Sequence, residues 1–470
     1  MPGVITNATH PRTCGARRLQ HGAATLVVVL LLFFVIALVS AYTSRNLIFE
    51  QRTSVNQYRA TMAFETADAG IEWALALLNG GRIGNDCTEA TAVAGSTSFR
   101  QRYLVIDPTD GKVIARRPVT DPTRPLIAMC VWTGANWACN CPEDGDPVLA
   151  EPPGGALHPA FAVHFTPDPE PPLPLRVNGA LPRPGVVRIE VNGCVRMAAG
   201  CLLDFSDRPQ QSEGRAQHSV LVALKPAVTT LPVAALTVFG NLEGGGGGAT
   251  VKNSNAAAGG ITIQAAGAVD PAKFSLLSAP GTPGELSVVA SDSSLVPDGL
   301  TLADLLAVPA VPSNWDRVFG SVFGLLPQTY REQPAARVLN CPAAGCRAAL
   351  SALAAANPDR VIWIPGDLVL ESAGDVGSLP DPANAAVAGP ATIVVDGNVS
   401  LAAGVNIYGI VYSRSGNWTG PGTITGAAIV EGTLRGASAP SVQYDQSVIN
   451  ATRLSSGSFV PMQGDWRDFK

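Results

Sequence analysis

Residues 23–42 read AATLVVVLLLFFVIALVSAY, twenty positions without a charge. Twenty helical residues span about 30 Å, the thickness of a bilayer's hydrocarbon core. The helical signal continues past that span. No proline occurs between Pro11 and Pro108, and Arg45 to Leu78 is rich in Ala, Glu, Gln, Arg and Leu, which favour helix. Phe64, Ile71, Leu75 and Leu78 follow one another at spacings that share a helical face. Asn79-Gly80-Gly81 supplies a stop. The expectation is one helix from Ala23 to Asn79, about 85 Å long at 1.5 Å per residue. Its first half would lie in lipid and its second half would pack on a globular domain.

The flanks set the direction. Arg12, Arg17 and Arg18 precede the apolar run and no acid does, so the N-terminus is expected in the cytoplasm and the rest across the membrane. A cleaved secretory signal usually has an apolar core of about 7–15 residues and a small-residue cleavage site. This run is longer, and helix rather than linker follows it. The 470 residues are 46% apolar and only 15% charged, with a formal net charge of −5. A phosphate-tracking surface must be basic, so nucleic acid is not an expected partner.

A short basic leader, the boundary His21-Gly22-Ala23, an uninterrupted apolar run and a long amphipathic continuation together resemble a type IV pilin. The run Ala63-Phe64-Glu65-Thr66-Ala67-Asp68-Ala69-Gly70-Ile71-Glu72 resembles that of minor pilins of the PilX class. The resemblance implies cleavage of a 1–22 leader by prepilin peptidase after Gly22, with Ala23 as the new N-terminus. It also implies residence in the bacterial inner membrane, periplasmic C-terminal domains, and assembly with other minor and major pilins. Major pilins carry glutamate at the fifth mature position, where it neutralises the amine of the subunit above. Here that position is Val27. An unpaired charge in an apolar fibre core is costly, and a subunit with nothing above it needs no carboxylate there. The reading is a priming or capping subunit at the pilus tip. The alternatives are a tip adhesin or receptor module for a surface ligand, or a K-type pseudopilin of a type II secretion system.

Nine cysteines are present. Cys14 would leave with the leader. Cys87, Cys130, Cys139, Cys141, Cys194, Cys201, Cys341 and Cys346 remain, all in the part expected to face an oxidising compartment. Four disulfides are expected, with Cys341–Cys346 and Cys194–Cys201 closing small loops and the other four pairing among themselves. Zinc fits poorly, since Cys139-Asn140-Cys141 has a spacer too short for a knuckle.

The expected fold class is α+β, in four parts: leader 1–22, pilin helix 23–80, a disulfide-containing head 81–235, and a Gly-rich extension 236–470. The head should be an antiparallel sheet packed on the second half of the long helix. The stretch from Phe165 to Pro184 holds seven prolines and should be an extended loop. In the extension, short apolar runs recur between glycines, as in Ile393-Val-Val-Asp-Gly397 and Val405-Asn-Ile-Tyr-Gly409. That pattern suggests a β-solenoid-like stack, with a helical insert at about 313–357.

No catalysis, cofactor or metal is expected. The glycine run 244–248 is followed by no Lys-Ser/Thr and is not a P-loop. Asp107, Asp110, Asp144 and Asp146 read as turn acids rather than calcium ligands. Glu65, Asp68 and Glu72 form a helix stripe that is either solvated or turned to arginines of neighbouring subunits. Asp367, Glu371 and Asp375 are too sparse for a solenoid hydrolase. Trp363, Tyr408, Tyr412 and Trp418 read as core rather than a sugar platform.

Overall fold

The structure is a computed structural model that describes residues 21–90, 97–107, 110–153, 157–167, 184–205, 214–243, 249–292, 295, 312–380, 389–435 and 439–464. The glycine run 244–248, Cys14 and most of the proline-rich stretch lie outside that set. The chain divides into two units, 1–59 and 60–470. Helix α1 runs His21–Leu78, and the rest is β-rich, so the class is α+β. Within the first unit only helix is described.

In the second unit, a six-stranded antiparallel sheet has the order 457–461, 215–226, 186–194, 160–167, 128–132, 137–140. Residues 60–78 of α1 lie against it. The buried helix residues are Ala63, Thr66, Ala67, Gly70, Ile71, Ala74 and Leu78. This face is mostly small, and it lets the helix backbone come close to the sheet. A Cβ at Gly193 would run into the Ala63 carbonyl and the Ala67 amide, and one at Gly70 would sit 2.6 Å from Val191 Cγ1. Most large side chains of the interface come from the sheet and a short helix, including Phe99, Tyr103, Phe161, Phe165 and Val191, and the long helix adds Ile71, Leu78 and Trp73, the last edge-on to Phe99 and Phe161. The expected face is therefore redrawn. Ile71 and Leu78 are buried and Leu75 is partly buried. Phe64 stands 43% exposed at the margin, its ring edge-on to His218 at 4.3 Å.

Residues 236–444 form three parallel ladders. One stacks 361–364, 391–395, 409–413, 426–430, 236–238, 263–265 and 288–289. The second stacks 368–370, 399–401 and 418–419, and single bridges carry it on through Leu434, Leu242 and Val269. The third stacks 374–376, 405–407, 423–425, 441–443, 250–252 and 275–277. The tiers written first in sequence, 236–289, sit beyond those written last.

Strands 405–413 and 423–430 each serve two ladders by turning at a glycine. Gly409 has φ 149° and Gly426 φ 133°. A Cβ at Gly409 would strike the Ala391 carbonyl and one at Gly426 the Gly409 carbonyl, so only glycine lets neighbouring tiers approach this closely. A second corner repeats as Gly366-Asp367-Leu368, Gly397-Asn398-Val399, Gly416-Asn417-Trp418 and Gly240-Asn241-Leu242. There the side-chain oxygen joins successive tiers. Asp367 Oδ1 accepts from the Asn398 amide at 2.7 Å, and Asn241 Oδ1 accepts from the Ala268 amide at 2.9 Å. Helices Pro312–Phe323 and Pro327–Arg331 bring Phe319, Phe323 and Tyr330 against Trp363 and Tyr412 of the first ladder.

Helix Gln446–Ser455 then leads the chain back to strand Gly457–Pro461, which pairs antiparallel with 222–226. The 236–470 segment therefore does not end in the ladders. Its last strand is an edge of the antiparallel sheet.

Candidate functional site

Within the first unit, every large apolar side chain from Leu26 to Val39 is 54–73% exposed. Val27 is among them, an aliphatic side chain in an aliphatic row. Thr43 Oγ1 donates to the Val39 carbonyl at 2.8 Å and Thr53 Oγ1 to the Phe49 carbonyl at 2.9 Å, so these hydroxyls are satisfied by the helix itself. Such a row of uncovered apolar side chains is stable in lipid or among other helices, not in water. The backbone of Gly22 and Ala23 lies in the first turn of α1. The Ala23 side chain is not among those described.

In the second unit, the end of α1 is held by groups far away in sequence. A helix C-terminus leaves carbonyls without partners and carries partial negative charge. The last turn of α1 has no basic residue. The charge comes instead from two buried arginines. Arg100 donates Nη2 to the Leu78 carbonyl at 3.2 Å and to the Gly457 carbonyl at 2.7 Å, and Nη1 to the Ser455 carbonyl at 3.1 Å. Its guanidinium lies 4.9 Å from the centre of the Phe459 ring. Arg360 donates to the carbonyls of Leu78, Gly80 and Pro334. Asp359 stands between the two, 3.4 Å from Arg100 Nε and 3.6 Å from Arg360 Nε. These are ion-pair distances without hydrogen-bond geometry. Burial pulls the Arg100 guanidinium down to about 10, with Asp359 opposing and Arg360 adding.

Two further contacts complete the anchorage. Asn79 and Phe459 exchange hydrogen bonds, Nδ2 to carbonyl and amide to Oδ1, both 2.8 Å. Arg82 donates to the carbonyls of Ala355 and Ala356 at 2.6 and 2.9 Å, which lie at the end of helix Arg347–Ala356. The helix end, the antiparallel sheet and the ladder body thus meet around α1's last carbonyls.

Residues 21–72 match the family model described as PilX N-terminal. The first helix of this chain is similar to a PilX N-terminal segment. That match is confined to the first helix, which it likens to the N-terminal segment of PilX-class pilus proteins, and the apolar helix fits a membrane-anchored pilus component. Comparison with curated proteins and with solved structures found no match.

Beyond the PilX segment, the cysteines pair as Cys87–Cys141, Cys130–Cys139, Cys194–Cys201 and Cys341–Cys346. Cys130 and Cys139 are cross-strand neighbours. Arg102 braces the Cys87–Cys141 loop, donating to the carbonyls of Ile83, Gly84 and Cys141 and to Glu143. Each of these partners lies within a few residues of one of the two cysteines.

The remaining residues singled out from sequence are dispersed. Glu65 and Glu72 are exposed and Asp68 is half-buried. Asp110 pairs with Lys112, Asp146 with Arg124, and Asp144 accepts from the Val119 amide. Asp367, Glu371 and Asp375 serve the ladder corners, accepting from the Asn398 amide, the Arg347 amide and Asn406 Nδ2. Trp363, Tyr412 and Trp418 are buried, each with its polar atom hydrogen-bonded, to Asp396, Glu431 and the Ser415 carbonyl respectively. Tyr408 is half-buried.

The sequence reading did not reach one charged cluster. Arg414 holds Asp316 at 2.9 Å, Glu431 at 3.3 Å and Asp396 at 3.7 Å, which ties helix Pro312–Phe323 to the first ladder. Burial pushes the Glu431 carboxyl up to about 7 against the pull of Arg414 and the Tyr412 hydroxyl. No sequence spacing signals this cluster, because its members come from four separate segments.

Proposed function

We propose that this chain is a minor pilin that primes or caps a type IV pilus, with α1 in the fibre core and the body of the second unit displayed at the tip. The observation that carries the reading is the PilX N-terminal match at 21–72, lying within an unbroken helix that bears valine at position 27. An apolar helix leaves lipid readily only for other apolar helices. A fibre core charged by one amine per subunit needs one carboxylate per subunit to balance it. Val27 supplies none, which suits a subunit with no neighbour above. On this reading Gly22 and Ala23 flank the prepilin peptidase cut, the partners are other minor and major pilins, and the chain works as a structural subunit without chemistry of its own. The antiparallel sheet with residues 60–78 is the pilin-like head, and the three ladders are a β-solenoid inserted before the head's last strand.

Labelling of the protein on sheared fibres tests the placement. Signal at one fibre end is expected, and signal spread along the shaft overturns the tip role. An adhesive role for the ladder body is tested separately by an internal deletion that keeps Gly457–Pro461. Attachment lost with normal piliation would mark that body as the adhesin.

A further inference from the structure

Phe459 lies 380 positions from Asn79, yet the strand that carries it completes the surroundings of α1's last turn. We propose that Gly457–Pro461 is a lock on α1: the helix end is fixed only once that strand has closed on the antiparallel sheet.

The argument rests on where Arg100 finds its partners. Of its contacts, the carbonyls of Ser455 and Gly457 and the ring of Phe459 all belong to the returning segment. Without that segment Arg100 keeps the Leu78 carbonyl and Asp359 alone. A buried guanidinium stripped of most of its acceptors is unstable and moves to water. It would leave the Leu78 carbonyl at a buried helix end with only the long 3.4 Å contact from Arg360. The Asn79 side chain loses both of its hydrogen bonds in the same event. The ladders depend on it far less: none of their described strand pairs includes residues 457–461, and the Gly457 amide reaches only the Asp359 carbonyl, at 3.3 Å, beside the first ladder. The device reports that closure: a chain in which 457–461 has not returned to the sheet keeps a folded ladder body and a loose helix end. This holds whatever α1 later assembles with, so it stands or falls independently of the tip role.

Amide hydrogen exchange on the full-length protein tests the lock, with Asn79→Ala and Phe459→Ala as variants. Asn79→Ala removes the reciprocal pair without altering any side chain of the strand. Amides of 71–80 and 457–461 are expected to exchange together, about tenfold faster than in the unaltered protein. Amides of 391–395 and 405–413 should keep their protection. Faster exchange at 457–461 with unchanged protection at 71–80 overturns the proposal. So does equal loss of protection in helix and ladders, which would make the unit one cooperative block. If Phe459→Ala does not fold, Asn79→Ala decides alone, and unaltered protection at both segments in that variant also overturns the proposal.

Discussion

The antiparallel sheet and the parallel ladders solve the same problem, burial of apolar strands, in opposite ways. The sheet uses strands of up to twelve residues whose partners come from both ends of the chain, and three of the four disulfides staple its surroundings. The ladders use segments of about two to five residues per tier, each resting on the tiers above and below. Stability in the ladders is therefore close to a sum of nearest-neighbour terms. In the sheet, strands 128–226 pair with neighbours in sequence and one edge, 457–461, closes from far along the chain, at an entropic cost that grows slowly with loop length. One region tolerates local change only where tiers do not touch. The other tolerates it wherever the distant closure survives.

Four substitutions probe that contrast, in order of expected effect, the last read against Ile71→Ala as its reference. Gly409→Val forces a side chain into the Ala391 carbonyl at a φ of 149°. The ladder should lose more than about 4 kcal/mol, read as lost exchange protection through 391–430 while the sheet strands stay protected. Arg100→Met strips the cap from α1 and leaves Asp359 facing Arg360 alone. It should cost about 3 kcal/mol, measured by denaturant titration. A loss under about 1 kcal/mol would mean that solvent already reaches the site.

Glu431→Gln separates the regions by pH. The folded Glu431 carboxyl titrates at about 7, above its ordinary 4.5. Between those values the folded protein keeps a proton that the unfolded chain has released, so stability falls as pH rises through that window. The variant should flatten the ladder's melting profile between about pH 4.5 and 7 by about 1–2 kcal/mol and leave the sheet's profile unchanged. Equal pH dependence in both proteins would show that Glu431 titrates normally. Phe64→Ala, at the margin of the helix face, should cost under about 1 kcal/mol, against about 2 kcal/mol for Ile71→Ala. Equal costs would restore Phe64 to the buried face.

Much of the long helix could be read from the chain, because its signals are local: no proline, an uncharged run, and Asn-Gly-Gly at its end. Its packing face was harder to read. Large apolar side chains mark a face by periodicity, but here Ala63, Ala67, Gly70 and Ala74 form the contact and the sheet supplies the bulk. The ladder corners did carry a signal, Gly followed by Asp or Asn and then an apolar residue. It recurs at uneven intervals because the straight segments between corners differ in length. The Arg414 cluster and the clamp around Leu78 carried none, since side chains from distant segments leave no spacing to find.

By itself the sequence determined what each segment can be. It gave a membrane-length helix continuous with an amphipathic one, apolar runs broken by glycine, and cysteines close enough in sequence at 194/201 and 341/346 to pair locally. Such choices depend on neighbours within a few residues, where propensity, hydrophobic period and turn chemistry act. Only the tertiary structure decided which segments close on one another. The last strand joins the first sheet, the early tiers stack beyond the late ones, and two remote arginines cap α1. Those choices depend on burying charges and carbonyls together, and that free energy exists only once distant parts of the chain have met.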